Sequence, residues 1–324
     1  MQSNPRRLSR PLARVTAALC GLTYLGFALA ADPVPAEPLR FFAMGDAPYS
    51  ELELWQLEGL LAEVGEAAPA FIIHVGDIKS GSSVCTDAYA ARIADLFRRV
   101  AVPVAFTPGD NDWTDCWRAG GDPAARLAAL RRAFYGDPAV LRLAELGAVH
   151  PDPDYPENYY FLRGGVVFVA VHQVGSDNGL AHNDALGERE WRARMAANHA
   201  LLEQAVRTAK AQGAGALVVF FQADPLFDKP NKGRGLRPLR GDLTWLLRAF
   251  DGPILVIHGD GHQYRLDQPL KDPDSGRPET RLTRLEVPGS PLVAGVWVTY
   301  QPGTGEPFRV QRTHGDGPLH DGDL

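Results

Sequence analysis

The chain of 324 residues is poor in cysteine, shows no basic stripe after its first residues, and has no long apolar run beyond residue 30. Each absence excludes something. A formal net charge of −6 without a basic stripe speaks against a nucleic-acid or anionic-membrane binder. Without a later apolar run, no stable membrane span is expected once residues 1–30 are removed. Only Cys85 and Cys116 lie beyond that point. In an exported chain this pair is expected to form a disulfide bracing two loops, the alternative being two free thiols. No composition shift marks a domain boundary after residue 38, and no repeat signature accompanies the spacing of the motifs described below.

What is present begins with residues 1–30. Arg6, Arg7, Arg10 and Arg14 precede an apolar run from Val15 to Ala30 that closes on Ala28-Leu29-Ala30. A basic start, an apolar centre and small residues at the end read as a secretory signal peptide, with a retained anchor as the alternative. The protein is therefore expected to be exported, periplasmic or secreted. Cleavage removes four arginines and no acid, so the mature charge is −10. Residues 31–38 read as a linker, 39–312 as one domain, and 313–324 as a flexible tail.

Four short apolar runs stop at Gly-Asp. They end at Gly45-Asp46, Gly76-Asp77, Gly109-Asp110 and Gly259-Asp260. Short apolar runs read as strands buried on both faces. Helical periodicity separates the first three, over Glu51 to Val64 and Asp87 to Val100, giving β-α-β-α-β. Right-handed crossovers make those strands parallel and put Asp46, Asp77 and Asp110 on one edge, where open α/β sheets bind ligands. Glycine before each aspartate is expected to let the backbone turn sharply.

Further along, Asp137 to Asn158 reads as an irregular surface excursion. Tyr159 to Arg163 and Val166 to His172 form a hairpin around Gly164-Gly165. Glu188 to Ala211 and Leu243 to Phe250 read as helices, and Lys229 to Arg240 as a flexible loop. The strand of Ala216 to Phe221 runs into Gln222. Short strands follow Asp260 as far as Arg312. The expected fold is α/β, with two mixed β-sheets packed together and flanked by helices.

The order Gly-Asp-x-x, Gly-Asp, Gly-Asp-Asn-Asp, a polar residue after a late strand, then Gly-Asp-Gly-His resembles the calcineurin-like metallophosphoesterases over about Arg40 to Gln263. The wording His-Val-Gly-Asp-Ile-Lys-Ser-Gly and Thr-Pro-Gly-Asp-Asn-Asp-Trp-Thr-Asp-Cys looks like a divergent exported bacterial branch of that superfamily. The resemblance implies a four-layer αββα sandwich and a metal site. Asp46 matches the family's first aspartate, with Pro48 in place of a histidine. Asp77 matches the aspartate that bridges two ions. Asp110 stands at an asparagine ligand, Asn111 at the histidine that polarises substrate, Gln222 at a lone histidine ligand, and Asp260 at the first histidine of Gly-His-x-His. His262 matches the second.

The metal-ligand candidates are therefore Asp46, Asp77, Asp110, Gln222, Asp260 and His262. Oxygen has replaced nitrogen at most altered positions, which favours one or two Mg²⁺, Mn²⁺ or Ca²⁺ ions over zinc or iron. Four converging carboxylates also need cations to offset their repulsion. Asn111 cannot donate a proton as an acid would, so His172 and His258 stand beside it as catalytic candidates. His74 alternates within a buried strand and reads as a core residue, while Lys79 and Asn178 could be solvated loop residues or phosphate contacts. The function expected is metal-dependent hydrolysis of a phosphorylated small molecule or other phosphoester. The alternative is a catalytically impaired protein of the same fold that binds a cation or a phosphorylated ligand.

Overall fold

Strand β1 (Leu39–Met44) carries almost wholly buried side chains, and strands β2 (Ile72–His74) and β3 (Val104–Phe106) are buried throughout. The computed structural model describes residues 37–180, 185–271 and 275–313. The expected signal peptide, most of the linker and the tail beyond Thr313 lie outside them. Thr313 itself is tied to Gly295 through its backbone and hydroxyl.

Strands β1, β2 and β3 pair in parallel, as their connections require. Helix α1 (Glu51–Glu66) starts on Ser50, whose hydroxyl accepts from the Glu53 amide, and α2 (Asp87–Arg99) starts on Thr86 in the same way. Their apolar faces cover the outside of this sheet, where Phe97 of α2 packs beside His74 and Phe106. Helix α3 (Pro123–Tyr135) follows, capped by Asp122.

The stretch expected to be an irregular excursion is more ordered. Asp137 caps α4 (Pro138–Leu141), a 3-10 turn spans Leu143–Leu146, and Val140, Leu141, Leu143 and Leu146 are buried in the core. The second sheet has six strands: β4 (Tyr159–Arg163), β5 (Val166–Ala170), β6 (Ala216–Phe220), β7 (Ile254–His258), β8 (Arg265–Asp267) and β9 (Leu282–Glu286). Their order is β4-β5-β6-β7-β9-β8, antiparallel only at its two edges. Strands β10 (Val296–Tyr300) and β11 (Phe308–Arg312) return to the first sheet, antiparallel beside β1.

The sheets meet face to face through aromatic rings. Phe41 and Phe71 of the first lie 5.2 and 4.9 Å from Phe168 of the second, and Phe71 lies 5.1 Å from Phe161. Outside the second sheet lie α6 (Ala185–Ala211) and α7 (Arg237–Ala249). Helix α7 begins earlier than its apolar periodicity indicates, because Leu239 joins Leu243 and Leu246 in the core and Pro238 is tolerated in a first turn. The loop expected from Lys229 therefore ends before Arg237. Between β5 and α6, Gly175–Asn178 forms the short turn α5, with left-handed backbone at Ser176, Asp177 and Asn178. The architecture is a four-layer αββα sandwich with two mixed sheets.

Candidate metal centre

Every motif named above sits at the carboxyl end of a strand. Asp46 and Asp77 follow β1 and β2, Asp110 follows β3, Gln222 follows β6, and Asp260 and His262 follow β7. The Gly-Asp pairs work differently from the sequence expectation. The left-handed turn falls on the aspartate itself, with φ of 50° at Asp46, 56° at Asp77 and 74° at Asp260. At Gly109 and Gly259 the glycine instead makes room for another motif's carboxylate, whereas Gly76 itself takes a left-handed φ of 94°. A Cβ on Gly109 would collide with the Asp77 carboxylate, and one on Gly259 with that of Asp46.

Asp46, Asp77 and His262 bring three potential ligand atoms within 4.8 Å of one another. The His262 Nδ1 lies 2.9 Å from the Ser290 carbonyl oxygen. A carbonyl can only accept, so Nδ1 carries the hydrogen and Nε2 is the ring nitrogen that faces the carboxylates. Burial, then the charges of neighbouring aspartates, hold Asp46 and Asp77 well above the usual carboxylate range. Two buried carboxylates and an oriented imidazole nitrogen form a donor set that fits a divalent cation.

The Tyr49 hydroxyl stands over these atoms, donating to Asp77 Oδ2 at 2.9 Å with His262 Nε2 at 3.1 Å. Asn111 Nδ2 donates to Asp77 Oδ2 at 2.7 Å and to the Tyr49 hydroxyl at 2.9 Å, so both amide hydrogens are engaged. Asn111 thereby orients Asp77. Burial, then the charges of Asp77 and Asp46, raise the Tyr49 pKa and keep the phenol protonated. Asp112 brackets the loops, its carboxylate accepting from the amides of Asp77, Ile78 and Gly109. Lys79 donates to the carbonyls of Ser80 and Asn111 and so holds the same loop. The disulfide joins Cys85 to Cys116, as expected, with Cα atoms 5.8 Å apart, bridging the loops after β2 and β3.

The other three ligand candidates cluster with a different neighbour. Gln222 Oε1 accepts from the Gly175 amide at 2.6 Å, and its Nε2 donates to Asp260 Oδ1 at 3.3 Å. Asp260 Oδ2 accepts from the Asp224 amide, while its own amide donates to both Asp46 oxygens at 3.1 Å. Asp110 Oδ2 accepts from the Ser176 hydroxyl at 2.7 Å, and Asp110 Oδ1 is buried without a partner. Asp115 lies 2.9 Å from the same hydroxyl and pairs with Arg118. Burial, and then the charge of Asp110, push Asp115 up to about 6.

No hydrogen bond or ion pair among the described residues joins His172 or His258 to this cluster. His172 is fully buried, its Nδ1 2.8 Å from Glu157, which Arg131 also holds. His258 is fully buried beside the Gly259 carbonyl and Phe221, and burial lowers its pKa to about 4. Each ring therefore meets a structural partner through its Nδ1. His74 is buried between Phe97 and Phe106, as its place in β2 indicates. Asn178 is buried and anchors its turn through Arg194, Gln173 and the Gly235 carbonyl, which excludes a phosphate contact.

Tyr49, Asp112, Asp115 and Ser176 were not singled out from the sequence. Asp112 had a signal, since it ends the Gly-Asp-Asn-Asp motif where the resembling family has an acid. Beside Ser176 opens a hollow of about 320 Å³, walled by Trp113, Trp117 and Leu180 and rimmed by Asp115, Glu188 and Glu190.

The frame and the acid-rich strand ends together agree with one family. The model for calcineurin-like phosphoesterases matches residues 39–264, and the chain belongs to that family. Its members are metal-dependent phosphoester hydrolases in general. Among solved structures it is similar to PhoD, at 12% identity and a TM-score of 0.48, over 83% of this chain and 66% of that one, just under two thirds of its length. It is also similar to a dimetal phosphatase from Danio rerio, at 12% identity and a TM-score of 0.47, over 83% of this chain and 96% of that one. A 5'-nucleotidase from Candida albicans aligns at 10% identity and a TM-score of 0.40, over 85% and 50%. No curated protein matches the sequence. Among the described residues no helix is long and apolar enough to cross a membrane.

Proposed function

We propose that this protein hydrolyses a phosphoester with a divalent cation seated at Asp46, Asp77 and His262. The observation that carries the reading is the convergence of their ligand atoms, with His262 Nε2 aimed by the Ser290 carbonyl. Mg²⁺, Mn²⁺ or Ca²⁺ is favoured by the predominance of oxygen. Such an ion, when bound, neutralises the carboxylates, polarises a phosphoryl oxygen and makes bound water more acidic.

The chain supplies the rest. Asn111 and its backbone amide hold the Asp77 carboxylate in place through both oxygens. Tyr49 takes the acid's role that Asn111 cannot fill, since its hydroxyl is protonated and faces the cluster. A phenol is a weak acid, so esters with good leaving groups, including diesters, suit the site best. The hollow beside Ser176 offers room for the organic part of the substrate. Its acidic rim disfavours a second phosphate there.

Hydrolysis of bis(p-nitrophenyl) phosphate and p-nitrophenyl phosphate across added Mg²⁺, Mn²⁺ and Ca²⁺ tests the reading. Cation-dependent turnover that disappears in Asp77→Asn is expected; turnover unaffected by chelator contradicts it. The second reading, a binder of a cation or phosphorylated ligand without turnover, is favoured by one observation: Gly175 stands so close to Asp110 and Asp260 that a Cβ there would collide with both carboxylates. Tight cation binding without hydrolysis of either ester supports that reading. We further propose export through residues 1–30, an oxidising destination being consistent with the Cys85–Cys116 bridge.

A further inference from the structure

The family resemblance allows two ions, but the two halves of the centre are not alike. A second ion beside Asp77 requires oxygens from Asp110, Gln222 and Asp260. Gln222 Oε1 accepts from the Gly175 amide, and the Asp260 oxygens accept from Gln222 Nε2 and the Asp224 amide. In much the same way the Asp46 oxygens accept from the Asp260 amide, and Asp77 Oδ1 from that of Asn111. An oxygen with one such bond keeps a lone pair, so hydrogen bonding does not separate the halves. Asp110 Oδ2 accepts from the Ser176 hydroxyl. Asp110 Oδ1 is buried with no hydrogen-bond partner among the described residues, so the space around these oxygens decides whether a second ion fits.

That space is closed. Gly175 lies so near Asp110 and Asp260 that a Cβ there would collide with both carboxylates. Its backbone stands between them. The turn that puts it there is held from several sides. Asn178 Oδ1 accepts from Arg194 at 2.6 Å and from the Val174 amide at 3.2 Å, and Asp177 Oδ1 accepts from the Gly235 amide at 2.7 Å. Three successive residues other than glycine keep left-handed backbone to make this turn, a conformation that persists only where its surroundings impose it. Charge is also supplied by the chain: the Arg118 guanidinium pairs with Asp115 at 2.9 Å and donates to Ser176 at 3.3 Å.

We propose that the chain binds a single divalent cation, at Asp46, Asp77 and His262, and that the Gly175–Asn178 turn with Gln222 and Arg118 takes the place of a second. The inference rests on the cation site of the proposed function, and the experiment separates the two. The metal-free full chain is loaded with Mn²⁺, freed of excess by gel filtration, and examined by elemental analysis and electron paramagnetic resonance. One manganese per chain with an isolated six-line signal is the expected result. Two per chain with an exchange-coupled signal would overturn the single-ion inference while leaving the cation site intact. No retained manganese would remove the cation site, and the inference with it. Variants give a second readout. Asp110→Asn is expected to keep one manganese with affinity within about tenfold, through lost charge alone, whereas Asp77→Asn loses it. Loss of the ion in a folded Asp110→Asn chain would overturn the inference.

Discussion

The two halves of the centre are built from similar residues and treat them differently. In the half made by Asp46, Asp77 and His262, the carboxylates and the imidazole converge, and the neighbouring hydroxyl of Tyr49 lies within hydrogen-bonding distance of both Asp77 and His262. In the half made by Asp110, Gln222 and Asp260, the polar atoms are turned onto backbone amides and onto Ser176. The same residue type, aspartate after glycine at a strand end, converges on an imidazole in one place and stands against the Gly175 backbone in the other. What distinguishes them is the next layer. The first half is backed by the Ser290 carbonyl and by Asn111, which aim atoms inward. The second is met by the Gly175–Asn178 turn after β5, whose backbone stands between Asp110 and Asp260.

The largest expected effect lies in the first half. Asp77→Asn is expected to lower kcat/KM for a diester by roughly a thousandfold, about 4 kcal/mol of transition-state stabilisation. A loss below tenfold would erase the distinction between the halves. The same measurement on Asp260→Asn is expected to show a much smaller loss, since it is the Asp260 backbone amide that supports Asp46.

The disulfide supports both halves through their loops. It closes a separation of 31 residues, so reducing it or introducing Cys85→Ser is expected to cost about 3–4 kcal/mol of stability in chemical denaturation. Tyr49→Phe sharpens the comparison within the first half. Its expected cost is roughly tenfold to a hundredfold in kcat for alkyl leaving groups and clearly less for p-nitrophenolate. Equal losses on both would assign Tyr49 to positioning alone.

The pH dependence of stability has a slope that the cation largely removes. Asp46 and Asp77 have folded pKa values raised above the unfolded carboxylate value, chiefly by burial. The folded metal-free chain therefore holds more protons than the unfolded one as pH rises through that interval, and its stability falls. Glu286, pushed up to about 7 chiefly by burial, acts in the same direction between about 4.5 and about 7. Melting of the metal-free protein is expected to move down by a few degrees from about pH 5 to about pH 8, and saturating Mn²⁺ to remove most of that slope. A metal-free chain that gains stability over that range would contradict the buried-carboxylate picture.

The frame of the fold was readable because its signals are local and periodic. Strand ends at Gly-Asp, the β-α-β-α-β order and the Gly164-Gly165 hairpin all follow from residues close in sequence. The site was readable in part. Asp46, Asp77 and His262 lie where their motifs imply. Gln222, Asp110 and Asp260 lie near as well, but nothing local in sequence reveals that a distant turn satisfies them. Ser176 reaches Asp110 across 66 positions, and the conformation that delivers it depends on Arg194 and Gly235. Tyr49 was nearer to hand, three residues after Asp46, yet its direction is set by packing against His262 from the second sheet. His172 and His258 were put forward because imidazole is the usual proton carrier near neutral pH. Their strands bury them beside Glu157 and Phe221 instead.

The central claim is that one half of the centre holds a cation and the other is closed by the chain. Anomalous diffraction from crystals of the Mn²⁺-loaded protein tests it most directly. The account predicts one manganese peak per chain, bounded by Asp46, Asp77 and His262, with Gly175 still between Asp110 and Asp260. Two peaks, or one peak bounded by Asp110, Gln222 and Asp260, would contradict it.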